Sequence, residues 1–391
     1  MYRFVAATEG AVLAKGKMNS EVEILPTKFE TLAHSDPQFD SYLRGSFSSE
    51  LVAIPIRTLN VGSLKEEVTF EVLEKKNIKR PSFFSILLKL LRPQTLSLSA
   101  GTMLVSIITA SKLQLKISLE SALLTIFSVL FFHASLNLFN DFYDHLRGHD
   151  RINPQGGSRV IQQAWLPAHI VQKIGFVFLG LSIAFGLPVL YLHSGIVVAI
   201  AAISAFAGLE FAIHKLGFKN FGLGEYLVFF LTGPLLTSGA VWAVSGQFQM
   251  QMLYLGFVFG SATLFFYHIS NIENILVDAL AARKTWAVYL GIDNSKKALW
   301  FIAGIFSLSY FLFVLSVCKL STARGPQPLE LDLNKFTLFL FLYFILALQF
   351  ILICVRANRS QSPLSSELES LRNRSLRLHW LTVICMIIAL I

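Results

Sequence analysis

Residues 119–144 read LESALLTIFSVLFFHASLNLFNDFYD, an apolar run long enough to cross about 30 Å of hydrocarbon that closes on Asn140-Asp141-Phe142-Tyr143-Asp144. Carboxylates are costly in hydrocarbon and normally face a cavity or a partner, so a pair of them where a membrane helix meets water marks a candidate site. Helix positions three and four apart share a face, which sets Asp141 with Asp144 and stacks Asn140 beside Asp144. Downstream, Asn271, Asn274 and Asp278 follow an i, i+3, i+7 rhythm at the end of another apolar segment, with Arg283 and Lys284 next. Two polar clusters at the ends of two helices suggest one shared site.

Composition supports a membrane protein. Hydrophobic residues make up 54% of the chain and charged residues 15%, with a mean hydropathy of +0.60, well outside soluble norms. Residues 1–80 hold equal numbers of acids and bases, so the net charge of +9 belongs to residues 81–391. That excess suits anionic headgroups or an anionic substrate; no nucleic-acid partner is expected. Apolar stretches predict nine spans, near 85–111, 119–140, 169–193, 195–214, 222–245, 250–272, 297–319, 335–355 and 376–391, with His193-Ser194-Gly195 between the third and fourth. Loops after the even spans hold Arg147, Arg151, Arg159, Lys215, Lys219, Arg283, Lys284, Lys296, Lys297, Arg356, Arg359, Arg372, Arg374 and Arg377; the opposite loops hold few, Lys112, Lys116, Lys319, Arg324 and Lys335. The positive-inside rule then puts the N-terminus and both acidic clusters in the cytoplasm. The chain opens with a brief apolar run, Phe4 to Ala7, so no cleavable signal peptide is expected.

Residues 1–80 read as a small cytoplasmic extension containing β-structure, with alternating stretches at 51–56 and 68–73 separated by Asn60-Val61-Gly62-Ser63; residues 81–391 form the transmembrane domain. Lys75, Lys76, Lys79 and Arg80 read as a headgroup anchor. Cys318, Cys354 and Cys385 lack metal-ligand spacing and are expected to be structural thiols. His133, Tyr267 and His268 lie inside helices and read as packing or helix-bridging groups.

Paired carboxylates at a wet helix end suit Mg²⁺, which prefers octahedral oxygen ligands, keeps several waters and commonly joins one or two carboxylates to a substrate phosphate. His149-Asp150-Arg151 and Gly156-Gly157-Ser158-Arg159 supply a further acid, two guanidinium groups and a turn whose amides can approach phosphate oxygens. Both clusters thus place oxygen ligands before cations, the arrangement a Mg²⁺-bridged diphosphate needs.

These residues resemble the UbiA superfamily of intramembrane prenyltransferases, and within it the 1,4-dihydroxy-2-naphthoate polyprenyltransferase branch of menaquinone synthesis. The likeness rests on Leu91-Arg92-Pro93-Gln94-Thr95-Leu96, on NDFYD at 140–144 with Gly148 and Asp150, on GGSRV at 156–160, on GLGE at 222–225, and on the stretch from Asn271 to Gly291. The second motif departs from the family's Asn-x-Arg-Asp-x-x-x-Asp: Glu273 stands at the arginine and Asn274 at the first carboxylate. Asn274 can offer a metal a carbonyl but no charge, and Glu273 points about 100° around the helix from it.

The resemblance implies an all-α bundle of nine transmembrane helices around a central cavity, in a bacterial inner membrane. It implies Mg²⁺-dependent transfer of a polyprenyl group from polyprenyl diphosphate to an aromatic acceptor, a naphthoate or other quinone precursor. Asp141, Asp144 and Asp278 would hold the metal; Asn140, Asp150, Asn271, Asn274, Arg283 and Arg92 would bind substrate. Arg159, Arg283 and Lys284 would neutralise the departing diphosphate while apolar walls shelter an allylic cation. Because of Glu273 and Asn274, two alternatives stay open: a catalytically impaired relative that binds isoprenoid lipid or quinone, and one that scaffolds a partner through residues 1–80. A transporter is a third reading.

Overall fold

The computed structural model describes residues 28–192, 195–213, 218–320, 332–360, 362–363 and 365–391. The Phe4–Ala7 run, His193-Ser194, Lys215 and Arg324 lie outside these, as do the side chains of Lys219 and Lys319.

Strands β1 (Lys28–Ala33), β2 (Leu51–Leu59) and β3 (Glu67–Glu74) form an antiparallel sheet in the order β1-β3-β2. Alternation along β3 puts Val68, Phe70 and Val72 on one face, the period-two signature of a half-buried strand. Helix α1 (Phe39–Arg44) covers that face with Phe39, Tyr42 and Leu43. The small core so formed also takes in Leu146, from the far end of α4. The expected stretches at 51–56 and 68–73 lie within β2 and β3; the sequence pattern gave no sign of β1.

Helix α2 (Phe83–Leu91) buries Ile86 and Leu90 and exposes Phe83, Phe84 and Leu88. Arg92, left-handed at φ +51, and Pro93 at the next N-terminus separate it from α3 (Pro93–Lys112), because proline cannot continue a preceding helix. The chain continues through α4 (Leu119–Leu146), the single turn α5 (His149–Ile152), α6 (Ala168–Leu192), α7 (Ile196–Ile213), α8 (Gly224–Thr232), α9 (Pro234–Ser245), α10 (Met250–Glu273), α11 (Ile275–Leu280), α12 (Trp286–Leu320), α13 (Leu333–Arg359) and α14 (Ser366–Leu390). Gly291 kinks α12, at φ 73 and ψ 169.

Among the described residues, seven helices are long and apolar enough to cross a membrane: α4, α6, α7, the α8–α9 pair, α10, α12 and α13. The other two expected spans fall in α3 and α14, whose hydropathy is lowered for identifiable reasons. Thr95, Ser99, Thr102, Ser106 and Thr109 line one side of α3, with Thr102, Ser106 and Thr109 donating to carbonyls one turn back. Helix α14 opens on Glu367, Glu369, Arg372, Arg374 and Arg377. Both pack on the bundle, α3 against α9 and α14, and α14 against α10 and α13. The protein is a mostly helical, multi-pass integral membrane protein with a small sheet near its N-terminus.

Helix α10 is the most buried span and contacts α8, α9, α12 and α14. Small residues let backbones meet here, as in other membrane bundles: a Cβ on Gly256 would fall 2.5 Å from Pro234 Cα, and one on Gly260 2.6 Å from the Phe229 carbonyl. Large apolar side chains on α6, α7 and α13, among them Phe176, Leu187, Phe206 and Phe344, point outward where lipid would lie. Cys318, Cys354 and Cys385 are buried.

Candidate functional site

A cavity of about 850 Å³ opens among α3, α4, α6, α7, α8, α9 and α10. Its two walls differ in kind. Val189, Leu190, Val197 and Ala243 line an apolar reach between α6, α7 and α9, whereas one end gathers Arg92, Asn140, Asp144, His149, Asp150, Asn271, Asn274, Asp278 and Arg283. The two helix-end clusters therefore meet in one chamber.

Local structure explains the meeting. Helix α4 ends at Leu146, which packs against the N-terminal sheet, and Gly148, left-handed at φ +84, turns the chain into α5. Helix α10 ends at Glu273; Asn274, with φ −93 and ψ 8, leaves helical geometry, and α11 starts in a new direction that carries Asp278 inward. His149 ties the halves together: Nδ1 lies 3.2 Å from Asp150 Oδ1 and Nε2 2.9 Å from Asp278 Oδ1. Asn153 Nδ2 donates to Asn274 Oδ1 at 3.1 Å, a second bridge between the motifs. Asn140 donates to Asp144 at 2.8 Å, as its spacing predicts, and Arg283 pairs with the same carboxylate.

Charge is managed by these contacts. Burial and the Arg283 charge push the His149 imidazole down, but its hydrogen bonds to Asp150 and Asp278 and the charge of Asp144 outweigh them, and its pKa ends above the ordinary histidine value. Burial also works against the Arg283 cation; Asp144, then Asp278 and Asp150, overcome it and hold the guanidinium more firmly protonated than usual.

Donor oxygens of Asp144 and Asp150 and a ring nitrogen of His149 all lie within 4.8 Å of one another, and all three residues are buried. Carboxylate oxygens are the ligands Mg²⁺ favours, so the two acids fit that ion better than the imidazole does. His149 is better placed to hold Asp150 and Asp278 in position. The turn beside them leaves room only for bare backbone: a Cβ on Gly157, itself at φ +61, would fall 2.4 Å from Asp150 Oδ2 and 3.0 Å from Asp141 Oδ1.

Four residues expected at the site sit elsewhere. Asp141 is buried beside the cavity wall, pairing with Arg92 and accepting from Ser158 N at 3.3 Å; the amide of the GGSR turn is thus given to an acid of the protein. Arg159 donates to the carbonyls of Asp150 at 2.6 Å and Asn153 at 2.7 Å, bracing the loop from behind. Lys284 is exposed and does not line the cavity. Arg151, expected near phosphate, turns to Glu66 of the sheet instead.

The structure adds residues to which sequence alone assigned no site role. Glu225, buried in α8, accepts from Asn271 Nδ2 and from Trp286 N, both at 2.8 Å, and so fixes the end of α10 against the start of α12. A carboxylate opening an apolar helix, in GLGE, was the available signal. Glu273 pairs with Arg372 of α14 at 3.0 Å, and Arg372 lines the cavity. Nothing local could have linked residues so far apart. His133 and Tyr267 also line the cavity; His133 shares a hydrogen bond with Ser99 at 2.8 Å.

A model of the UbiA prenyltransferase family matches residues 99–366. The chain is similar to UbiA prenyltransferase domain-containing protein 1 of Dictyostelium discoideum, 24% identical over 67% of this chain and 80% of that one. It is similar also to 1,4-dihydroxy-2-naphthoate octaprenyltransferase of Bacillus subtilis, 24% identical over 60% of this chain and 75% of that one. Among solved structures, a UbiA homologue from Archaeoglobus fulgidus bound to GPP and Mg²⁺ superimposes with a TM-score of 0.54 at 14% identity, covering 78% of this chain and 99% of that one.

Proposed function

The chain belongs to the UbiA prenyltransferase family, and from that premise we propose that it transfers a polyprenyl group from a polyprenyl diphosphate to an aromatic acceptor, a naphthoate or related quinone precursor, with Mg²⁺. The observation that carries this reading is the His149 bridge between Asp150 and Asp278, which draws both acidic clusters to one end of an otherwise apolar cavity. The Archaeoglobus homologue bound to GPP and Mg²⁺ supports the donor class, and the Bacillus relative's name supports the acceptor.

In this reading Asp144, Asp150 and Asp278 would hold the metal, helped by Asn140 and Asn274, and Asp141 acts from behind by fixing Arg92. Bound there, Mg²⁺ supplies positive charge to the diphosphate oxygens. Arg283 and Arg92 steady the same oxygens as negative charge grows on the departing diphosphate. The α6, α7 and α9 wall takes the prenyl tail and keeps water from the allylic cation. The acceptor's electron-rich carbon then attacks, and a naphthoate acceptor loses its carboxylate. Residues 81–391 form the catalytic domain, α3 and α14 complete nine spans, and residues 1–80 are a cytoplasmic extension whose described part, residues 28–80, lies on the face that holds the site.

Asp144→Ala is expected to lower Mg²⁺-dependent transfer in native membranes on the order of a hundredfold or more, measured with labelled donor and a panel of acceptors. Undiminished transfer overturns the metal assignment. Asn274, neutral and already bonded to Asn153 and Ser270, favours a second reading, a relative that binds isoprenoid lipid or quinone without turnover. Tight donor binding under Mg²⁺ with no diphosphate release is the result that would select it.

A further inference from the structure

The turn carrying His149, Asp150 and Asn153 rests on the N-terminal sheet. Arg151 sits among these residues, yet its side chain is fully buried and faces away from the cavity. Its Nη2 donates to Glu66 Oε1 at 2.8 Å and its Nε to the His145 carbonyl at 3.0 Å. Glu66, just before β3, is itself 3% exposed. A buried ion pair is weak evidence of stabilisation, because desolvation offsets the attraction; what it fixes well is geometry.

Other contacts bear on the same turn. His145 Nε2 donates to the Leu43 carbonyl at 3.0 Å, while Gln162 donates to its Nδ1 at 3.2 Å. Gly148 lies against the turn between β2 and β3 so closely that a Cβ there would fall 2.6 Å from Val61 Cγ1. Leu146 belongs to the sheet's apolar core, and His169, at the start of α6, bonds the Arg44 carbonyl at 3.0 Å. The sheet is therefore fastened to both sides of the loop between α4 and α6. It lies wholly outside the residues that match the family.

We propose that residues 28–77 are a brace for the site, with Glu66 as a positioning residue that acts through Arg151 to fix the turn bearing His149, Asp150 and Asn153. The brace thereby sets how tightly a divalent cation and a diphosphate are held. This rests on the reading of the site given above, but its structural half can be tested without turnover. Groups that orient metal ligands typically change metal affinity 10- to 100-fold when removed.

In the full-length protein, Glu66→Ala is expected to raise the Mg²⁺ concentration for half-maximal transfer about tenfold, with kcat at saturating Mg²⁺ changed far less. Hydrogen exchange at amides 148–157, measured without Mg²⁺, is expected to quicken. Lys76→Ala, which breaks the exposed Lys76–Glu74 pair of the same unit, should leave both readouts as they are. If Glu66→Ala does not fold, Glu66→Gln, which keeps an acceptor for Arg151, should show both changes in smaller degree. Exchange and Mg²⁺ requirement identical to those of the unaltered protein, in whichever variant folds, overturn the brace. Absence of turnover in the unaltered protein counts against the prenyl-transfer reading alone; the exchange measurement still decides for or against the brace.

Discussion

Glu273 and Asn274 are where the second motif leaves the UbiA pattern, and each has a partner that gives the departure a use. Glu273 holds Arg372 at the cavity wall, so a guanidinium reaches the site from α14 although the motif itself carries none. Hydrogen bonds to charged groups contribute roughly 1.5–3 kcal/mol, on the order of tenfold or more in binding. Arg372→Gln is accordingly expected to raise KM for the prenyl diphosphate by about tenfold with a smaller change in kcat, and Arg372→Lys to recover part of the loss; initial-rate kinetics over donor concentration check both. Gly157→Ala places a methyl group against Asp150 and Asp141 on a left-handed backbone. Strain of that kind costs ~1–3 kcal/mol, and the variant should bind Mg²⁺ more weakly, as read by titration of activity and of thermal unfolding. Residue types and spacing pointed to Asn140, Asp144, Asp150, Asn271 and Asp278, all of which line the cavity, because helical periodicity is a local rule. Spacing cannot report which way a side chain turns once another charge or carbonyl competes for it: Asp141, Arg151, Arg159 and Lys284 do not line the chamber, while His149 and Arg372, which do, had no role assigned from sequence.

Helices in lipid gain little from burying apolar surface against each other and depend on close packing. The α9–α10 crossing is the tightest instance, since Gly256 meets the Pro234 backbone, which cannot rotate aside. Gly256→Leu is expected to destabilise the protein by at least ~1–3 kcal/mol, visible as a lowered midpoint of thermal unfolding in detergent, while Gly304→Ala, where a Cβ meets no neighbour, should leave that midpoint unchanged. The same scale shows what hydropathy misses. Averaging over a window penalises α3 for hydroxyls that satisfy themselves on their own carbonyls, and penalises α14 for a charged first half whose second half is apolar. Strand β1, six residues long, alternates too briefly to stand out, whereas β2 and β3 carry enough β-branched and aromatic side chains to be read in advance.

As a whole, the molecule holds an apolar chamber with a charged end, and Val189 of α6, Val197 of α7 and Ala243 of α9 pack together along its wall. Helix α9 runs from the Gly233–Pro234 break to Ser245, so Ala243 lies near the end remote from Glu225 and the polar cluster. Ala243→Phe should shorten the accepted tail, raising KM for long donors relative to short ones by roughly tenfold; competition between donors of different lengths measures it. That a chamber exists followed from paired motifs, but its volume and lining depend on crossings between helices distant in sequence. Leu146, shared between the sheet's core and the end of α4, carries a further consequence. Ribosomes deliver the three strands first, yet the side chains that complete their packing, Leu146 and then Arg151, emerge only after α3 and α4 have been made. Two crossings return Leu146 to the side of the strands; a nascent chain in which only one of the two helices entered the bilayer would leave those two residues on the far side, and the waiting strands would stay open to quality-control proteases.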